Sequence, residues 1–470
     1  MGPPRVFPYA TAHSARHKPN MKPFRCGAIV LVLLASAHCR LGAGEGGSFQ
    51  GAISITPEFV DRLVAEGRAN SPALQAAAAQ TQSAAAAVAG VRTWEDPTAT
   101  IGLSASTARG FRSSEDGNLS YGVDQKLPLY GRSDLMRKVA AADASRAQYA
   151  ADFEAQNLRL ELQVALIRLA ISSREEDIVR QDLVWLDATL AAVDHRYRVG
   201  EASQVDWLKI QTVRATEGDD LKNRQTECDH NTFALNRLLN RDSHAAWPRV
   251  AVPSLQPNLT YTPALVEAAI ATEPRLNVMR QESASAQAAA DLTRRQRLPD
   301  VSVGLEAWNY TGDWGLREGA MTVSFSVPWF NRGKYDEDWR RDQQRKRASE
   351  LAATDYELSV REELHQDVLE ADAARRQAVL NRDQLIPLAQ QALASARTAW
   401  EHNLGPFQDV LDAQRMLLTD ELGQAHALAE QGTLLAQMAF LTGSRDIGTL
   451  VTLAGAPVPD NDHPSSEDAK

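Results

Sequence analysis

Four stretches of the chain alternate apolar and polar residues with a period of two. Ala99, Ile101, Leu103 and Ala105 alternate with Thr98, Thr100, Gly102 and Ser104, and Leu119, Tyr121 and Val123 with Ser120, Gly122 and Asp124. Further along, Val301, Val303, Leu305 and Ala307 alternate with Ser302, Gly304 and Glu306, and Met321, Val323, Phe325 and Val327 with Thr322, Ser324 and Ser326. This period predicts β-strands at about 95–106, 119–129, 300–309 and 320–330. Elsewhere the period lengthens. Leu158, Leu162, Ala165 and Leu169, then Leu183, Leu186, Leu190 and Val193, keep the 3–4 spacing of a packed helical seam. No Pro or Gly occurs from Asp134 to Arg196, so this stretch predicts one helix on the order of 90 Å long. A counterpart runs from about Asp336 to Trp400, where Pro387 predicts a bend.

The pattern occurs twice. "NSPALQAAAAQ" at Asn70 matches "TEPRLNVMRQE" at Thr272, and "DPTATIGLSAS" at Asp96 matches "LPDVSVGLEAW" at Leu298. "KLPLYGR" at Lys126 matches "SVPWFNR" at Ser326, which pairs Pro128 with Pro328, Gly131 with Asn331 and Arg132 with Arg332. "VGEASQVDWLKIQ" at Val199 matches "HNLGPFQDVLDAQ" at His402, and "NRLLNR" at Asn236 matches "MAFLTGS" at Met438. Each half therefore reads helix, two strands, very long helix, turn, helix. The halves are assigned to 57–250 and 264–445, with tip turns at 197–203 and 400–406. A Pro-rich linker at 251–263 joins them, and the acidic, Pro-containing tail, 446–470, reads as disordered.

Composition adds constraints. The formal charge of -10 disfavours a nucleic-acid partner. Lys22 and Arg25 followed by the apolar run to Ala35 and the small Ala35-Ser36-Ala37 read as an export signal over 1–37, cut after Ala37, with Met21 an alternative start. An N-terminal segment, 38–56, precedes the first repeat. His38 directly before Cys39 fits poorly with a lipoprotein site. Of the 3 cysteines, Cys26 and Cys39 lie in or beside the signal, which leaves Cys228 and no disulfide framework. No stretch after residue 40 reaches the ~20 apolar residues of a membrane helix.

The strands admit two readings. Each is about the ~10 residues of a tilted membrane strand, and Trp94, Tyr130, Trp308, Tyr310, Trp314, Trp329 and Phe330 cluster at the strand ends as an interfacial girdle does. A half-buried antiparallel sheet alternates in the same way. The long helices favour the first reading, because helices of this length suit coiled-coil packing. Four membrane strands leave two edges with unpaired backbone groups that cannot face lipid. Closure then needs several copies, and three would supply twelve strands around a hollow passage.

In its duplicated order, its "LPLYGR" and "VPWFNR" joints and its two turns, the chain resembles the TolC-type outer-membrane factors over residues 57–445. "SVPWFNRGKY" is similar to the heavy-metal branch that serves resistance-nodulation-division pumps. The resemblance implies a mainly α homotrimer with a small antiparallel β part. In it a coiled-coil α-barrel in the periplasm continues a shared twelve-stranded β-barrel in outer-membrane lipid. It also implies a passive conduit that works with a periplasmic adaptor and an inner-membrane pump. The adaptor-docking surface would be the tip turns, Val199, Gly200, Glu201, Ala202 and Ser203 with Asn403, Leu404, Gly405 and Pro406. Asp409 and Asp412, one helical turn apart, match the family's acidic gate ring. Asp206 and Trp400 match its tip latch. At Asp206 a capping box with Ser203 is the competing explanation, and at Asp409 a favourable position in the helix dipole. The family's latch arginine is replaced here by Gly405.

No phosphate-binding loop, nucleophile elbow or His pair at i, i+4 spacing appears, so neither enzymatic activity, cofactor nor metal is expected. The alternative function is a soluble periplasmic coiled-coil scaffold or adaptor whose strands form an ordinary sheet.

Overall fold

The computed structural model describes residues 52–105, 117–310 and 314–455. The export signal, Cys26, Cys39 and the tail after Gly455 lie outside the described residues.

The first half begins with α1 (Pro57–Asn70) and α2 (Pro72–Gly90). Pro opens both helices, and the Thr56 hydroxyl accepts the Phe59 N–H to cap α1. Strands β1 (Thr98–Ala105) and β2 (Gly117–Lys126) follow, then α3 (Arg132–Arg198) and α4 (Gln204–Leu238). The second half repeats the order with α5 (Pro263–Thr272), α6 (Pro274–Arg295), β3 (Val301–Tyr310), β4 (Leu316–Phe325), α7 (Arg332–Leu380), α8 (Ile386–Glu401) and α9 (Phe407–Leu441). The 67 residues of α3 span on the order of 100 Å.

Several boundaries differ from the sequence reading. The strands stop at Lys126 and Phe325, and Leu129–Gly131 and Pro328–Asn331 form single 3-10 turns. Pro128 and Pro328 lack the N–H that would extend the ladder. Tyr130 and Gly131 are left-handed at φ 62° and 65°, which turns the chain from strand into helix. Instead of a simple bend at Pro387, one π-helical turn, Asn381–Leu385, links α7 to α8. It absorbs the proline's missing donor without ending the helix. The linker ends at Thr262, since Pro263 already opens α5. The segment read as a disordered tail begins with a helix, α10 (Ile447–Leu453), whose Leu450 and Val451 are buried. Leu450 and Val451, with Ala454 just past the helix, join the core.

All four strands form one antiparallel sheet in the order β1-β2-β3-β4. The register aligns Ile101 with Tyr121, Tyr121 with Ala307, Val123 with Leu305, and Leu305 with Met321. The apolar set thus forms one continuous face. It is uncovered: Ile101 is 79% exposed and Met321 69%. Burial instead runs along the helices. Leu158, Leu162 and Leu169 of α3 pack with Val60, Leu63 and Leu235, and Leu364 and Val368 of α7 pack with Leu435 and Met438 of α9. Among the described residues, no helix is long and apolar enough to cross a membrane.

Candidate functional site at the helical tip

Two helical reversals stand side by side at the end of the long helices. At the first, Gly200 adopts φ +83°, and the N–H of Glu201 reaches back to the Arg196 carbonyl at 2.7 Å. At the second, Asn403 adopts φ +58°, and the N–H of Leu404 reaches the Ala399 carbonyl at 2.7 Å. Both therefore end in the same left-handed C-terminal motif, one with glycine and one with the asparagine that tolerates this region best. Gly405 is favoured by close packing. A Cβ there would sit 3.2 Å from Ala399 Cβ, a tight contact that a larger residue relieves only if Ala399 shifts by a few tenths of an ångström.

Under the turns lies a small core. Leu186 and Val193 of α3, Ile210 of α4, and Trp400, Phe407, Val410 and Leu411 are buried together. The seam predicted from Leu183, Leu186, Leu190 and Val193 ends in this cluster. The Trp400 ring packs against Phe407 at 5.2 Å between centroids, and Tyr197 stacks on Trp207 at 6.0 Å. Lys209 of α4 donates to Gln408 of α9 at 2.8 Å, which adds a polar tie.

Arg196, not singled out from the sequence, joins the two turns. Its Nη1 donates to the Trp400 carbonyl at 2.9 Å and its Nη2 to the Asn403 side-chain oxygen. The guanidinium lies 4.6 Å from the Trp400 ring centroid, and Glu201 approaches Nε at 3.6 Å. Charged donors in a half-dry setting make bonds stronger than the neutral kind. The only local signal for Arg196 was a cation in the last helical turn, which the helix dipole favours anyway.

The other site residues separate into groups. The Ser203 hydroxyl accepts the Asp206 N–H at 3.1 Å and donates to the Asp206 carboxylate at 2.8 Å. Asp206 thus completes a capping interaction within its own turn, and the Trp400 ring packs in the apolar cluster, against Phe407 and under Arg196. Asp206 and Trp400 are not brought together within one chain. Asp409, three residues past Pro406, stands where Asp206 stands past Ser203. Asp409 and Asp412 are both exposed. Gln408 donates to Asp412 at 2.9 Å and Arg415 lies 3.5 Å from it. Val199 and Leu404 crown the turns at 57% and 83% exposure.

Behind the tip, α3, α4 and α9 enclose further acids. Glu175, buried, pairs with Arg224 at 2.6 Å and with His426 Nε2 at 2.7 Å. Burial raises the Asp182 carboxyl above its ordinary range, against the 2.5 Å bond that Gln414 donates to it. Burial, then Asp182 and Asp220, raise Glu217 as well. Among the described residues, no group of three or more His, Cys, Asp or Glu is arranged to hold a metal ion.

The joints at the other end are built differently in the two halves. Arg132 pairs with Asp300 and donates to the Leu298 carbonyl at 3.4 Å. Lys126 bridges Glu95 at 3.2 Å and Asp300 at 3.8 Å. Its repeat-equivalent joint holds Pro328 buried, with Asn331 at φ −116° where Gly131 is left-handed.

The model of the outer membrane efflux protein family matches residues 63–241 and again 265–444. The chain belongs to that family. The two matches coincide with the two halves of this chain. A search of curated protein sequences finds no match. Among solved structures, the outer-membrane channel OprN is 19% identical, with 82% of this chain and 90% of that chain covered and a TM-score of 0.72. The outer membrane protein VceC from Vibrio cholerae is 17% identical, with coverage of 82% and 96% and a TM-score of 0.69. The CmeC outer membrane channel of Campylobacter jejuni is 11% identical, with coverage of 87% and 93% and a TM-score of 0.71. The fold is that of the TolC-type channels, mainly α with a small antiparallel sheet. This outer membrane efflux protein resides in the outer membrane of a Gram-negative-type bacterium and extends into the periplasm.

Proposed function

We propose that this outer membrane efflux protein is the exit duct of a tripartite efflux system. Three copies would close the sheet into a twelve-stranded barrel, and the long helices would form a tube through the periplasm. The observation that carries this reading is the sheet itself. It has an uncovered apolar face, costly in water, and two unpaired edges, β1 and β4, which a single chain cannot expose to lipid. The apolar face meets lipid, and closure by copies satisfies the edges.

The conduit is passive: no residue is assigned a catalytic role, and the driving force comes from an inner-membrane pump of the resistance-nodulation-division type. A periplasmic adaptor docks on the two tip turns, where Val199 and Leu404 offer apolar contact beside polar backbone. Asp409 and Asp412 of the three copies form the acidic gate, since both are exposed on one helix face at the tip. Arg196, together with Trp400, holds the turns of each copy as one piece, in place of a latch arginine at Gly405. The test is reconstitution of the purified protein in planar bilayers under a salt gradient. Discrete conductance steps with a cation-favouring reversal potential support the reading, and a silent bilayer overturns it.

A further inference from the structure

The duplication places Arg132 and Arg332 at equivalent positions, yet their surroundings differ. Arg132 follows β2 and reaches the residues just before β3, the next strand in the sheet. There it pairs with the Asp300 carboxylate and the Leu298 carbonyl, and its side chain is 22% exposed. Arg332 follows β4, which has no next strand within the chain. Its side chain is 84% exposed, with Asp336 no nearer than 3.9 Å. The motif is complete once and half-made once.

What would complete it is the segment just before β1, presented by a second copy. By the repeat, Leu298 corresponds to Asp96 and Asp300 to Thr98. Asp96 is exposed, as is its neighbour Glu95. The hairpin registers of the halves differ by two residues, with Ile101 opposite Tyr121 but Val303 opposite Val323. A two-residue displacement between Thr98 and Asp96 is therefore within what the duplication already shows. Edge chemistry agrees, because Leu103 of β1 and Val323 of β4 are 62% and 60% exposed on the same apolar face.

We propose that Arg332 pairs with Asp96 of the partner subunit, sealing each seam of the barrel as Arg132 and Asp300 seal the β2–β3 junction. This rests on the trimeric reading above and adds the register of the closing strands: β4 antiparallel to β1 of the neighbouring copy. A guanidinium and a carboxylate at the membrane rim also give the seam direction, since an apolar edge alone can slip by two residues without changing faces.

The test is a full chain carrying Arg332→Cys and Asp96→Cys in a Cys228→Ser background, oxidised in isolated outer membranes. Covalent dimers and trimers on a non-reducing gel are expected, and chains with either cysteine alone should lose that ladder. The charge exchange is the second arm. Arg332→Asp or Asp96→Arg alone lowers the fraction of heat-resistant trimer, and the two together restore it. A particle of three chains' mass that gives neither ladder nor restoration overturns the pairing and leaves the trimer standing. A wild-type particle of one chain's mass overturns both.

Discussion

Asp367 on α7 lies among Leu364, Val368 and Ala371, is 7% exposed, and its Oδ2 has no hydrogen-bond partner. Burial first, then the charges of Glu363 and Glu370, push its pKa from 3.8 to about 7. The folded chain therefore binds this proton more tightly than the unfolded chain does. The resulting cost is absent below the unfolded value, grows as pH rises from about 4 to about 7, and is constant above. A displacement of this size corresponds to about 4 kcal/mol per chain at alkaline pH, as an upper figure. Asp367→Asn removes the charge but leaves a buried amide with its own unmet donors, which takes back about 1–2 kcal/mol. A net gain on the order of 2 kcal/mol is expected at pH 8.5, with none or a small loss at pH 4.5. Thermal melts of the detergent-purified protein, followed by circular dichroism at both pH values, measure this. A variant whose midpoint shift is the same at both pH values, or larger at pH 4.5, refutes the reasoning.

Three further outcomes are expected. Arg196→Ala removes two charge-assisted hydrogen bonds and the contact with the Trp400 ring, at a cost on the order of 3 kcal/mol. It should lower the melting midpoint and raise the open fraction in single-channel records, whereas an unchanged open fraction would leave Arg196 a purely local contact. Asp409→Asn with Asp412→Asn should move the reversal potential in a salt gradient toward zero, and an unmoved potential would make both acids simple helix-start residues. Leu305→Arg places a charge on the apolar sheet face at a cost of about 2–4 kcal/mol near mid-bilayer. It should reduce the protein retained in outer membranes after carbonate washing, and full retention would contradict a lipid-facing sheet.

Much of the fold was legible in the sequence because its signals are long or repeated. The run from Asp134 to Arg196 holds no Pro or Gly to break a helix, and the alternation from Ala99 to Phe325 survives in the observed register. Gly200 and Asn403 were readable as left-handed residues because few others tolerate that conformation. What escaped depends on partners distant in sequence. Arg196 meets Asn403 across 207 positions, and nothing near Arg196 announces that reach. Asp206 shows the converse: its partner, Ser203, is three residues away, and the capping motif was visible. The helix after Asp446 was missed because about two turns of helix carry too little periodicity to stand out. The π-helical turn before Pro387 was missed because a proline predicts disruption but not how the helix absorbs it.

The central claim is that one chain carries a third of a barrel and that copies supply the rest. Averaged electron-microscope images of the detergent-purified wild-type protein test it most directly. Threefold particles with a continuous central lumen, elongated by at least the ~100 Å of α3, are expected. Solid bodies, or particles of a single subunit, would contradict it.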